Sequence, residues 1–434
     1  MLSALLLVTA ALSAPAADEL PRAVTLLEAV AMAQQSAPEM VQAQGQARTS
    51  AAAVRSAYAA FLPSVSVSAG STRRLPAGGS RTRVENGEVI TLPSEPWSNS
   101  VGLGVSMTLF AGGQRLFHLR QAKVRAGAAG VNELSQRFAA ALTVKQEFFN
   151  VLAARESMAA AQAQLEQANQ QFRASVTRLK ARTATRSDSL RSEIQLRNAR
   201  LALMDARTSF DVANASLSRA VGSPTPVTAV ETDTLGLSGI TVPEGALRRM
   251  AEDGPAVRQA EAALAAVRED THSAWSDYLP SVSLGYSRSG SGTGERATLF
   301  GDDDSYSGSI RLSLSLPVFN QLQREERVVQ AQVAEQNAAA ALRDARLGAR
   351  EDFVRHLGGF RSAEERVASQ LVTLEVAEED LRVQRQRYAV GASTLLDLLT
   401  SQALLDSARR DLIRARYDQR VAKAQLEALV GRDL

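Results

Sequence analysis

The chain has 434 residues, 45 % hydrophobic but only 5 % aromatic, with 49 basic against 46 acidic side chains and no cysteine. The lack of cysteine excludes disulfides, thiol catalysis, Cys-ligated zinc and a lipid-modified N-terminal cysteine. The charges are interspersed, so nucleic acid is not an implied partner. Ala, Leu and Val dominate the apolar set, with runs such as 51–53 and 338–340 all alanine, a composition suited to long, closely packed helices.

The chain opens on an apolar run, Leu2 to Leu12, followed by small residues and Asp18-Glu19. This reads as a signal peptide over 1–17, cleaved near Ala16 or Ala17, although no Lys or Arg precedes it. No later stretch offers the ~20 apolar residues of a transmembrane helix, so any membrane crossing must use strands. Two short helices are expected at 24–36 and 38–60, with Pro38 where a missing N–H is tolerated. Val65, Val67 and Ala69 then alternate with Ser64, Ser66 and Ser68, and Val101, Leu103, Val105, Met107 and Leu109 alternate with small or polar residues. Period-two alternation predicts a hairpin with one apolar face over 62–110, its tip polar around Asn86-Gly87. A helix over 113–182 follows, ~100 Å long at 1.5 Å per residue. A break at 181–187 leads into a second helix that stops at Gly222. So short a break folds the two helices back as an antiparallel coiled-coil hairpin.

The same order then recurs. Short helices are expected at 243–252 and 256–277, behind Pro255. Val282, Leu284 and Tyr286, then Ile310, Leu312, Leu314 and Leu316, mark a second hairpin over 279–319, with SGSGTGER at 289–296 as its tip. Helices over 321–390 and from the break at 389–393 to Gly431 complete the copy. Leu62-Pro63-Ser64-Val65-Ser66 and Leu279-Pro280-Ser281-Val282-Ser283 align at an offset of 217. Beyond the hairpin the offset is 209, pairing Phe110 with Phe319, Asp188 with Asp397 and Val221-Gly222 with Val430-Gly431. The chain therefore divides into repeats over 18–222 and 223–434, each with short helices, a β-hairpin and a coiled-coil hairpin (113–222 and 320–431).

Four strands cannot close a barrel, and lipid does not tolerate open sheet edges. Several chains must pool their strands, with the Ser- and Gly-rich face lining a wet lumen. The long helices equally need neighbours, which a closed ring supplies.

The LP-S-V-S element in both halves, LFAGGQR at 109–115, and the run from Arg387 to Gly431 carry a resemblance. The chain resembles the outer-membrane efflux protein family, the TolC-like ducts of Gram-negative bacteria, over about 22–432. The resemblance implies a homotrimer with a twelve-stranded transmembrane barrel in outer-membrane lipid and an α-helical barrel in the periplasm. It implies docking to a periplasmic adaptor and an inner-membrane pump of RND or ABC type, with an iris-like gate at the periplasmic tip. It implies no cofactor and no enzymatic activity. The competing reading from composition is a periplasmic coiled-coil scaffold, which leaves the alternating strands unexplained.

His118, His272 and His356 lack metal-ligand spacing, and Asp302-Asp303-Asp304 reads as a solvated loop. Asp397 sits in the first turn of the last helix, where an acid complements the helix dipole. In a three-fold ring it would also form a negative mouth that attracts cations. Relatives carry a second acidic ring three residues on, where this chain has Thr400. By the resemblance, Tyr388 donates its hydroxyl to Asp188 as a gate latch, and the family's latch arginine corresponds to Ser393. Arg182, Thr183, Arg186 and Ser187, with Val390, Gly391 and Ala392, form the tips expected to meet adaptor hairpins. Phe61, Phe110, Tyr278 and Phe319 flank the strands, as an interfacial belt or as packing at the strand–helix junction.

Overall fold

The computed structural model describes residues 21–75, 81–85, 87–92, 97–231, 240, 242–294 and 305–434. The signal peptide expected over 1–17, Asn86, residues 295–296 of the second expected tip, and Asp302 to Asp304 lie outside these residues. In chain order the elements are β1 (Arg22–Val24), α1 (Leu26–Ser36), α2 (Pro38–Ala59), β2 (Ser64–Arg73), β3 (Arg81–Glu85), β4 (Glu88–Leu92), β5 (Trp97–Ala111), α3 (Gln114–Lys180) and α4 (Arg186–Ala220). There follow β6 (Val227–Ala229), α5 (Glu244–Glu252), α6 (Pro255–Trp275), β7 (Ser281–Gly294), β8 (Ser305–Ser315), α7 (Gln323–Ala389) and α8 (Leu395–Val430). The chain is mostly helical with a minority of strands.

Two compact units are present, and each draws on both halves of the sequence. The first comprises residues up to Gln44, Asn132–Val257 and Arg346–Leu434. Its core gathers Val144, Phe148, Val151 and Leu152 of α3, Leu217 of α4, and Ala29 and Ala33 of α1. Thr25 starts α1 through a capping box with Glu28, whose carboxylate accepts from the Thr25 N–H at 3.0 Å. A short parallel ladder that the sequence did not announce joins β1 to β6, Val24 opposite Ala229. Lys145 of α3 enters a mostly buried ion pair with Glu427 at 2.6 Å, and reaches Asp433 at 3.1 Å.

The second unit comprises Gly45–Val131 and Arg258–Ala345. Its four-stranded sheet has the order β2-β5-β7-β8, antiparallel throughout, so β5 and β7 join the two predicted hairpins and β2 and β8 are the open edges. Leu109 bulges where the β5–β7 register shifts between Thr108 and Phe110. One face carries Val65, Val67, Leu103, Val105, Leu284, Tyr286, Ile310, Leu312 and Leu314; Val67 is 75 % exposed and Ile310 76 %. The other face is hydroxyl and glycine, laced by cross-strand pairs Ser64–Ser106 at 2.7 Å and Ser287–Ser309 at 3.0 Å.

One tip expectation gains detail and one needs correction. Gly87, at φ +88, lies at a turn as expected, but of a small hairpin of its own, β3 on β4. The run at 289–296 is strand as far as Gly294, because its small residues alternate in register with β5 as far as Trp97 opposite Gly294. Of the four aromatic residues, Phe61, Phe110 and Phe319 are exposed, whereas Tyr278 packs under the Arg324 guanidinium at 4.8 Å and beside Trp275.

Candidate functional site

Both long helical hairpins turn by the same construction. At the first tip the Thr183 N–H bonds to the Arg178 carbonyl at 2.9 Å, closing the end of α3 with Arg182 at φ +58. At the second, the Ala392 N–H bonds to the Arg387 carbonyl at 2.8 Å, with Gly391 at φ +74. Thr185 and Thr394 then start α4 and α8 in extended conformation, with φ −84 and −87. Each threonine hydroxyl accepts from the backbone N–H of an aspartate three residues on, and that aspartate answers. Asp188 Oδ2 accepts from the Thr185 N–H at 3.1 Å and its hydroxyl at 2.7 Å. Asp397 Oδ2 accepts from Thr394 at 2.9 and 2.8 Å. These bonds, the backbone one first, hold the Asp397 carboxyl below the usual aspartate range. Asp397 is therefore ionised, exposed and fixed in direction at the start of α8.

The two tips differ in chemistry. Arg182, Thr183, Arg186 and Ser187 are all exposed, and so are Val390, Gly391 and Ala392, with Val390 80 % exposed. The first tip is cationic and the second is small and apolar. Thr400 is exposed one turn beyond Asp397, its hydroxyl donating back to the Leu396 carbonyl at 2.9 Å. Ser393 is half-buried and its hydroxyl oxygen has no hydrogen-bond partner among the described residues. Tyr388 is also half-buried, its ring lying under the Arg178 guanidinium at 4.8 Å. Within the single chain no hydrogen bond joins Tyr388 to Asp188 among the described residues; Asp188 Oδ2 is engaged by Thr185 alone.

Just behind the tips lies a feature that sequence reasoning missed. A cavity of about 230 Å³ opens between α3, α4, α7 and α8. Gln164 donates to Asp406 at 2.8 Å, Gln167 and Gln402 exchange bonds at 2.7 and 3.0 Å, and Gln402 donates to Asp406 at 3.2 Å. Burial pushes the Asp406 carboxyl above its ordinary value, against the opposing hydrogen bonds from the glutamines. The sequence did carry a signal. Leu395, Leu398, Gln402, Leu405, Ala408 and Leu412 step along α8 by threes and fours, and Gln402 interrupts the apolar residues at a core position. Elsewhere the histidines stay apart: His118 contacts Gln121 and His272 stacks on Phe117. Among the described residues no His, Cys, Asp or Glu cluster fits a metal ion, and no helix is long and apolar enough to cross a membrane.

Known proteins share sequence and fold with this chain. Protein CyaE of Bordetella pertussis is 28 % identical over 408 residues, covering 91 % of this chain and 81 % of its own. The alkaline protease secretion protein AprF of Pseudomonas aeruginosa is 24 % identical over 295 residues, covering 66 % of this chain and 60 % of AprF. Against solved structures, CusC superposes with a TM-score of 0.77 at 18 % identity, covering 94 % of this chain and 92 % of CusC, which shows a shared fold. The family profile described as outer membrane efflux protein matches residues 29–223 and 246–432. The matched stretches take in both helical hairpins and all four strands of the sheet, and the chain belongs to the outer membrane efflux protein family.

Proposed function

We propose that three copies of this chain form a channel of the Gram-negative outer membrane, the exit duct of a tripartite efflux or type I secretion system. The observation that carries the reading is the sheet of β2, β5, β7 and β8. It is apolar on one face, hydroxyl-lined on the other, and open at both edges. Three such sheets joined edge to edge supply twelve strands, remove every open edge, and turn the apolar face to lipid and the hydroxyl face to water. The helices support the same assembly. Leu190, Ile194, Leu201 and Met204 of α4 lie at heptad spacing and are each more than half exposed, an apolar seam for a neighbouring subunit's helix in a periplasmic helical barrel.

The duct conducts passively what an inner-membrane pump delivers through a periplasmic adaptor. Arg182, Thr183, Arg186 and Ser187, with Val390, Gly391 and Ala392, dock the adaptor; all seven are exposed. Asp188, Tyr388, Ser393, Asp397 and Thr400 line the gated mouth, with a single ring of Asp397 carboxylates attracting cations. Asp188 Oδ1 is left over by the capping box and is the atom to which Tyr388 donates in the closed gate. The name of AprF, a relative, refers to secretion of a protease, which favours polypeptide as well as small-molecule cargo.

The test is reconstitution of the purified protein in planar bilayers. Discrete channels from a heat-dissociable trimer are expected, with Tyr388→Phe conducting more than wild type. A monomer that opens no channels contradicts the reading.

A further inference from the structure

The four strands of the sheet carry three charged residues in total, Arg73, Arg288 and Arg311, and no acid. The register separates them. Arg73 pairs across from Trp97, and Arg288 from Leu103 and Gly308, so both stand on the apolar face. Each is laid over an aromatic ring there, Arg73 on Trp97 and Arg288 on Tyr306, both at 5.8 Å. These two arginines have a place on a lipid-facing surface, where an aromatic face shields the charge.

Arg311 has no such place. It lies between Ile310 and Leu312 and opposite Gly285, so it projects from the hydroxyl face. That face is otherwise Ser, Thr and Gly, with Ala111 at the end of β5: Ser64, Ser66 and Ser68 on β2, and Ser307, Ser309 and Ser313 on β8 itself, are examples. Arg311 is exposed, and no ion pair or ring contact engages it among the described residues. Gly285 places no side chain beside it; a Cβ there would meet only the Arg311 carbonyl, at 4.0 Å. A second copy of the chain brings the same hydroxyl face, so the strands of a neighbouring subunit offer it no acid either.

We infer that Arg311 sets an anion-binding ring in the lumen of the barrel, three guanidinium groups on an otherwise uncharged wall. This rests on the trimeric channel proposed above. A ring of like charges on a narrow low-dielectric wall concentrates counter-ions and repels co-ions. Guanidinium offers forked donors that match carboxylate and phosphate groups as well as chloride. The ring thus favours small anions and the anionic groups of passing cargo, and it is the specificity-determining position of the strand region.

The absence of native cysteine makes the test clean. Wild type, R311S, R311K and R311C are reconstituted in planar bilayers of neutral lipid, and the reversal potential is read under a potassium chloride gradient. R311S and R311C are expected to lower the chloride-to-potassium permeability ratio roughly threefold, and R311K to hold it. Treating R311C with a trimethylammonium methanethiosulfonate restores the wild-type ratio, and a sulfonate methanethiosulfonate lowers it further. A wild-type ratio in R311S, or an R311C thiol that no water-borne reagent reaches, overturns the inference while leaving the channel standing. A wild-type protein that opens no channel removes the channel reading and the ring with it.

Discussion

The two halves of this chain build the same left-handed turns from different residues, and the difference shows where glycine is required by space and where only by backbone angle. At the entrance to α3, Gly112 and Gly113 hold φ +58 and +82; at the matching entrance to α7, Gln321 and Leu322 hold φ +58 and +61. At the tips the asymmetry reverses, with Arg182 in the first hairpin and Gly391 in the second. A Cβ on Gly112 would meet the Ser276 carbonyl oxygen at 2.3 Å and Leu279 Cβ at 2.8 Å, whereas one on Gly391 would meet nothing within 4 Å. Gly112 is fixed by a neighbour and Gly391 only by its φ. The second entrance and the first tip tolerate side chains at a conformational cost alone.

Swapping residues between the copies tests this. Gly112→Ala carries both overlap and strain and should cost about 3 kcal/mol in denaturant unfolding. Loss no greater than that of Gly391→Ala would show that the Ser276 contact yields freely. Gln321→Gly and Leu322→Gly should each gain roughly 1 kcal/mol or less, since relief of strain is partly offset by the flexibility of glycine in the unfolded chain. At the tips, Gly391→Arg should cost about 1 kcal/mol and Arg182→Gly return a fraction of that, read as faster and slower amide exchange of the turn.

The smallest effect belongs to the caps, and it separates charge from structure at Asp397. Asp397→Asn keeps an acceptor for the Thr394 N–H, so it should lower the cation preference of the proposed mouth and leave amide exchange at the start of α8 nearly unchanged. Asp397→Ala removes the reciprocal bond and should loosen the first turn as well. Its carboxyl titrates below the ordinary value of 3.8 in the folded chain. The stabilisation is therefore complete above that ordinary value and is lost as pH falls through the lower folded one. Protection of the tip amides, taken relative to their intrinsic exchange at each pH, should fall under acid in wild type and hold in Asp397→Asn.

How much of this was legible in the sequence follows from the kind of signal involved. Periodicity and Pro38 and Pro255 placed the helices within a few residues, because backbone geometry repeats along the chain: the expected 113–182 is Gln114–Lys180, and 321–390 is Gln323–Ala389. Alternating Val and Ser gave the four strands, yet not that β3 and β4 form a separate hairpin. The β1–β6 ladder joins segments 205 residues apart in sequence and is too short to show a period. At the candidate mouth, Asp397 could be read as a first-turn acid, but not that it and Asp188 are each already engaged by their own N-cap threonine. The Gln164–Asp406 and Gln167–Gln402 bonds were hidden because they depend on which faces of α3 and α8 meet. The face of Arg311 was legible, because it falls between Ile310 and Leu312 in the alternation, but its singularity needed all four strands in one sheet.

The central claim is that three copies complete one barrel by joining β8 of each to β2 of the next. With no native cysteine to interfere, a cysteine at Ser66 on β2 can be combined in turn with cysteines at Ser307, Ser309 and Ser313 on β8, and the outer-membrane fraction oxidised. On a denaturing gel at least one pairing should yield covalent dimers and trimers and nothing larger. Only monomers across the whole panel, or an open ladder beyond three, would contradict a closed three-chain barrel.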